Sequence, residues 1–334
     1  MTNVSTTPSY QQLPIIDLSA AARGPQARAL LRAQLHSAAH DVGSFQLVGH
    51  GVSQAETAAL LDATHRFFAL DEADRTALDT VNSPHFRGYT RADGTRDRRE
   101  QFDIGAERPA RVPGPGEPAY WWLQGPNQWP AALPELRTAA LAWIDRLGSL
   151  AARLLRELLA SVGAPAGFYD PVLGERAHPR LKLVRYPGQG GQEAAAHKDH
   201  GFLTLLLQDE AGGLQVERAD GIFHDVRPVP GAFVVNLGEL LEAATDGYLL
   251  AAKHRVTGPA GTSERYRLCV PFLHNPRLDA RIEPLPFPHA PLAPVTPITP
   301  VAPVAEYGRD ELRGRMRAHP LVAARHHAES PAPV

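Results

Sequence analysis

The sequence predicts a mainly β protein with helices (α+β), in which helices from the first half pack on a sandwich or jelly roll built from the second. Three observations carry this. Up to about residue 165, apolar residues recur largely at helical spacing. From Leu181 onward they fall in short runs broken by Gly and Pro, the pattern of a sandwich or jelly roll rather than of parallel strands with crossover helices. No flexible linker separates the halves, so both serve one catalytic-sized unit.

The elements follow in order. Leu30, Leu31, Leu35, Ala38 and Ala39 place a helix over Ala27–Ala39, with Gly43 as its stop. Ser44–Val48 reads as a short strand. Ser53 and Glu56 have capping-box spacing and open a helix running towards Phe67 and Phe68. Asp71 caps a short helix through Leu78. The stretch from Arg108 to Pro118 is a loop, being rich in Pro and Gly. Pro134 then starts a long amphipathic helix with Leu136, Leu141, Ile144, Leu147, Leu154, Leu155, Leu158 and Val162 in one stripe; Gly163 ends it. Strands are expected at Leu181–Tyr186, Phe202–Leu207, Leu214–Glu217, Ile222–Val226, Ala232–Asn236, Ala252–Val256 and Arg267–Leu273. Pro284 to Pro303 reads as an extended surface segment, and a polar helix at about Asp310 to Ala318 closes the chain. The organisation is therefore a polar tail (1–12), a helical region (13–165), a β core (166–277) and a Pro-rich segment with a C-terminal helix (278–334).

Charge and composition narrow the function classes. Lys plus Arg number 34 and Asp plus Glu 36, a formal net charge of −2, so no broad basic field serves nucleic acid or a membrane surface. No apolar run approaches the roughly 20 residues that span a bilayer. Residues 1–12 lack the charged and apolar regions of a secretory signal. The single cysteine, Cys269, excludes a disulfide framework and a cysteine-built zinc site. The expectation is a cytoplasmic enzyme with a small-molecule substrate and neither nucleic-acid nor membrane partners.

The chemistry starts at His197-Lys198-Asp199. In an extended segment residues i and i+2 face the same side, so His197 and Asp199 converge while Lys198 points away. His254, 57 residues later in a predicted strand, is the best third ligand. Two imidazoles and one carboxylate on one face of a metal leave three positions open, the arrangement used by non-haem Fe(II) oxygenases. Arg267 follows His254 by 13 residues. Inside a jelly roll its guanidinium requires an anion, and its planar fork suits a carboxylate.

These residues reach a family. His197-Lys-Asp199-His-Gly201, Gly212-Gly213-Leu214-Gln215-Val216, Val235-Asn236-Leu237-Gly238, His254-Arg255-Val256 and Arg267-Leu-Cys269-Val-Pro271-Phe272 together resemble the iron- and 2-oxoglutarate-dependent dioxygenases, in their isopenicillin N synthase-like branch. Leu13-Pro14-Ile15-Ile16-Asp17-Leu18, the run from Gly43 to Val52, Arg87-Gly88-Tyr89 and Glu100-Gln101-Phe102-Asp103 resemble its N-terminal landmarks. The resemblance implies a double-stranded β-helix core. It also implies Fe(II), 2-oxoglutarate and O2 as cofactor and co-substrates, with His197, Asp199 and His254 as iron ligands. Arg267 would anchor the distal carboxylate of 2-oxoglutarate, with Tyr186 contacting it and Cys269 beside it. The family usually carries Ser where this chain has Cys269, and plant members often carry Asn where it has Val184. Asp199 is present, so halogenation is not expected.

The implied activity oxidises a small metabolite by hydroxylation, desaturation or ring closure, releasing succinate and CO2. One rival is an oxidase or cyclase of the same branch that does without 2-oxoglutarate, its Arg267 region holding a substrate carboxylate. Others are a zinc hydrolase on the same ligands and a non-catalytic binding protein. Phe86, Tyr89, Trp121 and Trp122 are expected near the substrate mouth, which favours a partly apolar or ring-containing molecule. His36 and His40 read as surface residues, His200 as a structural neighbour of the ligands, and His326 and His327 as solvated tail.

Overall fold

The apolar runs of the second half pair into two sheets, as the computed structural model shows for residues 12–94, 97–188, 191–258, 266–288 and 306–328. Twelve strands are present among these: β1 (Ile15–Asp17), β2 (Ser44–Val48), β3 (Gly88–Asp93), β4 (Arg98–Gly105), β5 (Arg180–Tyr186), β6 (Gly191–His197), β7 (Leu203–Gln208), β8 (Leu214–Glu217), β9 (Phe223–Asp225), β10 (Phe233–Leu237), β11 (His254–Gly258) and β12 (Arg267–His274). The larger sheet runs β1-β2-β10-β7-β12-β5-β4-β3 and the smaller β6-β11-β8-β9. All ladders are antiparallel except β1 with β2.

Period-two alternation separates the two cores. Leu181, Leu183, Leu205, Leu207, Phe233 and Val235 join one apolar cluster with the helices. Their neighbours Val184, Tyr186, Leu206, Val234 and Cys269 join a second with Leu214, Val216 and Val256 of the smaller sheet. The jelly-roll interior lies between the sheets, and helices cover the other face of the larger one.

Three of those helices match the sequence reading. They are α1 (Pro25–Asp41), α2 (Gln54–Ala69) and α4 (Glu135–Ser161); between α2 and α4 lies the short α3 (Glu72–Thr76). The Ser53–Glu56 capping box is present, and Gly43 and Gly163 follow their helices at φ +75° and +79°, a conformation glycine adopts without strain. Asp71 precedes α3 but makes no side-chain cap, and the helix stops at Thr76 rather than Leu78. On the buried stripe of α4 sits one acid, Glu157, which accepts from Arg28 Nε at 2.9 Å and Arg32 Nε at 2.8 Å on α1. His36 and His40 do not stand free at the surface: they bond the hydroxyl and carbonyl of Tyr248 at 2.7 and 2.8 Å, docking that loop on α1.

The first half is less helical than its periodicity suggests. β1, β3 and β4 extend the larger sheet, and β4 places Phe102 and Ile104 in the helix-side core while Arg99 and Gln101 line a cavity. Polar residues on the cavity face concealed this strand from hydrophobic pattern. Beyond the short α5 (Asp170–Leu173) and α6 (Glu239–Ala244), the C-terminal helix is α7 (Tyr307–Ala318), followed by α8 (Pro320–His326). His326 and His327 are not solvated: their Nε2 atoms bond the carbonyls of Val81 and Pro84 at 2.8 and 3.0 Å, and His327 stacks on Phe86. Most of the Pro-rich segment, from residue 289 to 305, and residues 1–11 lie outside the described residues. Among the described residues no helix is long and apolar enough to cross a membrane.

Burial raises the Glu157 pKa, but bonds from Arg28 and Arg32 outweigh it and hold the carboxyl below its ordinary value. Its contribution is therefore complete above about pH 4.5 and is lost as the pH falls further. Glu157→Ala is expected to cost about 1–3 kcal/mol in urea unfolding at pH 7, since both arginines remain half-exposed to water. The gap to wild type should narrow at pH 3.

Candidate metal centre

His197 ends β6 and His254 begins β11, directly opposite it in the antiparallel register. The two rings are 4.4 Å apart. Asp199 follows in the turn after β6 and completes the group, with Nε2 of His197 and of His254 each 3.8 Å from a carboxylate oxygen. One ligating atom from each of the three lies within 4.8 Å of the others. Both imidazoles are oriented by backbone: Nδ1 of His197 meets Ala195 O at 2.8 Å and Nδ1 of His254 meets Ala252 O at 3.0 Å. A carbonyl only accepts, so each Nδ1 carries the proton and each Nε2 offers its lone pair to the shared space.

The turn bearing Asp199 is pinned by close backbone approach. Glu239 N donates to Asp199 O at 2.9 Å and Leu240 N to Gly201 O at 3.1 Å, so the start of α6 grips the turn. Gly201 stands at φ +138°, where a Cβ would run into Asn275, and a Cβ on Gly238 would run into the Gly201 carbonyl. Burial pushes the Asp199 carboxyl up, but His254, His197 and the polar side chains of Thr204 and Asn236 outweigh that and leave it below its usual value. Burial and the neighbouring His254 lower the His197 pKa. A carboxylate whose buried Oδ2 has no hydrogen-bond partner among the described residues, facing two unprotonated imidazole nitrogens, fits a divalent cation.

A second fit concerns the co-substrate. Tyr186 and Cys269 line the same small cavity of about 80 Å³ as the three ligands. Register places Arg267 opposite Tyr186, with its guanidinium carbon 5.2 Å from the tyrosine ring. Arg267 is 3% exposed. Its Nη2 donates to Gln208 Oε1 at 3.2 Å, while Nε and Nη1 are buried without partners among the described residues. Leaving those donors unsatisfied is costly, and a carboxylate would satisfy them. Burial pushes the Cys269 thiol up, against the charge of Arg267. It is a neutral thiol in this setting.

Six residues anticipated from sequence thus come together, and several others were missed. The cavity beside the ligands is also lined by Arg99, Gln101, Lys182 and Thr204. It adjoins a larger one of about 660 Å³, whose walls include Arg180, Glu311, Arg315 and Arg317. Lys182 was legible in principle, since it lies on the same face of β5 as Tyr186, four residues away. Glu311 and Arg315 come from α7, which no pattern connects to the site. Burial draws the Lys182 pKa down to about 7, with Asp103 opposing it.

The aromatic expectation fails. Phe86 and Tyr89 are buried in the helix-side core, Trp121 takes the guanidinium of Arg111 on its face, and Trp122 packs edge-on to His327. None lines either cavity beside the cluster: the larger is walled mostly by polar and charged side chains, and the smaller adds the aliphatic Leu206, Leu214, Val256 and Leu273. His200 stacks on Tyr307 and faces Glu239 at 3.4 Å, consistent with a structural part.

Substituting Gly201 by Ala should force the turn open. The expected outcome is a stability loss of about 1–3 kcal/mol and weaker Fe(II) uptake, measured by urea unfolding and metal titration of the same variant. Unchanged metal affinity would show that the turn does not set the Asp199 position.

Residues 13–132 match the family described as the N-terminal region of non-haem dioxygenases in morphine synthesis, and residues 177–276 match the 2OG-Fe(II) oxygenase superfamily. A 2-oxoglutarate-dependent dioxygenase of Dothideomycetidae sp. is 32% identical over 296 residues, covering 84% of this chain and 79% of that protein. A homoarginine-6-hydroxylase of Arabidopsis thaliana is 30% identical over 308 residues, covering 83% and 88%. In fold, the chain is similar to full-length Neurospora crassa T7H bound to alpha-KG and 5-formyluracil, with a TM-score of 0.73, 24% identity and coverage of 85% and 91%. Sequence, sheet topology and the ligand cluster agree: the chain belongs to the iron(II)- and 2-oxoglutarate-dependent oxygenases.

Proposed function

We propose that His197, Asp199 and His254 hold the iron of this oxygenase and that Arg267, Tyr186 and Cys269 seat 2-oxoglutarate. The convergence of three ligating atoms within 4.8 Å at the wall of a small cavity supports this reading above all. When bound, iron and 2-oxoglutarate supply the oxidation: O2 is consumed, 2-oxoglutarate becomes succinate and CO2, and the second oxygen atom enters a carbon–hydrogen bond of the substrate. The chain supplies placement. The Ala195 and Ala252 carbonyls fix both imidazole tautomers, and the turn under α6 holds Asp199 between them. Arg267 neutralises the far carboxylate of the co-substrate, pointing its keto-acid end at the ligands. Leu206, Leu214, Val256 and Leu273 keep water from the reacting carbon.

The substrate is a small organic metabolite, free or lightly conjugated, and the reading includes a cytoplasmic enzyme without nucleic-acid or membrane partners, supported by the near-balanced charge and a lone cysteine that is buried. Hydroxylation is the outcome favoured.

Two measurements test the assignment. His254→Ala should weaken Fe(II) binding by about 100-fold or more, because two ligands retain an exchangeable divalent ion poorly; a full iron content would remove His254 from the ligand set. Arg267→Leu should raise the KM for 2-oxoglutarate by the equivalent of about 2–5 kcal/mol, the cost of stranding a charge-assisted partner. Turnover without succinate release would instead give Arg267 to a substrate carboxylate. Cys269→Ser should be mild and should tighten co-substrate binding, because a hydroxyl donates better than a thiol.

A further inference from the structure

The cavity next to the ligands carries an unbalanced charge. Among its described lining residues, every acid already has a partner: Asp97 with Arg99 at 3.3 Å, Glu239 with His200 at 3.4 Å, Asp310 with Arg313 at 3.2 Å and Glu311 with Arg180 at 2.8 Å. Lys182 has none. It lines both the small cavity that holds the cluster and the larger one beside it, yet among the described residues its ammonium makes no hydrogen bond or ion pair. The nearest opposite charge, Asp103, is occupied by Gln101 at 2.9 Å and by Arg180 and Arg315 at 3.2 Å each.

We propose that Lys182 binds a carboxylate of the substrate, so that this enzyme oxidises small organic acids whose reacting carbon lies between that carboxylate and the iron ligands. The inference rests on the reading above, which puts the oxidation at His197, Asp199 and His254. The carboxylate is not that of 2-oxoglutarate. Lys182 and Arg267 sit four residues apart in register along paired strands β5 and β12, about 13 Å at 3.3 Å per residue, with the co-substrate seat at the Arg267 end. A cationic group would meet Lys182 and find no free carboxylate among the described lining residues. Among the described residues Lys182 is the one cation without a partner that lines both cavities, Arg317 lining only the larger, and a single ammonium beside the ligands suits a carboxylate better than a phosphate dianion, which calls for several cations. The volume of about 660 Å³ admits a molecule of metabolite size.

The test compares probes of one skeleton that differ only in the end group: 4-phenylbutanoate, 4-phenylbutanamide, 4-phenylbutylamine and 3-phenylpropyl phosphate, with the octanoate, octanamide and octylamine series beside them. Binding to the full chain loaded with Zn(II) and 2-oxoglutarate is read by calorimetry, so that no turnover is needed. An acid should bind at least about tenfold more tightly than its amide, as expected for a charge-assisted bond replaced by a neutral one. Lys182→Met should abolish that preference and Lys182→Arg should restore most of it, an arm that a merely misfolded variant cannot satisfy. Equal affinity for acid and amide, a preference for the amine or phosphate, no saturable binding of either acid, or an acid preference surviving in Lys182→Met would each overturn the proposal. Succinate formation by the wild-type chain with Fe(II), O2 and 2-oxoglutarate alone is scored separately. Its absence would overturn the oxygenase site, whereas its presence with no acid preference would overturn only the role of Lys182.

Discussion

Antiparallel register is the constraint on which the site depends. Pairing of β11 with β6 sets His254 across from His197, and pairing of β12 with β5 sets Arg267 across from Tyr186. A slip of one residue in either ladder would turn the functional side chains to the opposite face, because the strand period is two. The apolar neighbours enforce the register: Leu181 and Leu183 cannot leave the helix-side core, nor Val184 the interior, without exposing buried hydrocarbon. The chemistry is therefore held in place by the same alternation that makes the sheets.

Two glycines complete the arrangement at the one point where a strand does not reach. Asp199 lies beyond β6, and its position comes from the contact of the Gly201 turn with Gly238 and the start of α6. Packing at that density leaves no room for a side chain, so the turn has one geometry. The α6 backbone thereby fixes the only carboxylate of the group.

Charge burial shapes the other end of the cavity. Asp103 on β4, Arg180 on β5 and Glu311 and Arg315 on α7 are all less than a tenth exposed and bonded to one another. Desolvating these groups separately would cost several kcal/mol each; bonded together they offset one another and fasten α7 against the wall of the larger cavity. Arg315 also donates to the Phe86 carbonyl at 2.7 Å, which ties the helix to the segment before β3. Helix α7 is thus part of the cavity wall. Lys182, at the same wall, is left out of this exchange.

The sequence by itself determined the local elements and the family. The capping box at Ser53, the stops at Gly43 and Gly163, the stripe of α4 and most of the short strands needed only nearest neighbours along the chain. The grouping proposed for His197, Asp199, His254 and Arg267 was legible because each stands in a run whose order is distinctive. Tertiary structure decided what no local pattern encodes. It made strands of Gly88–Asp93 and Arg98–Gly105, whose polar alternation suits a cavity wall and looks nothing like a half-solvated sheet. It buried His327 and withdrew Phe86 and Tyr89 into the core, replacing an expected aromatic mouth by a charged one. It also brought Glu311 to Arg180 and Arg315 to Asp103, each across more than 130 residues, contacts set by how α7 docks and not by any spacing. Ligand identity is a property of residue type and order; pocket character is a property of which faces meet, and that is settled only when the layers pack.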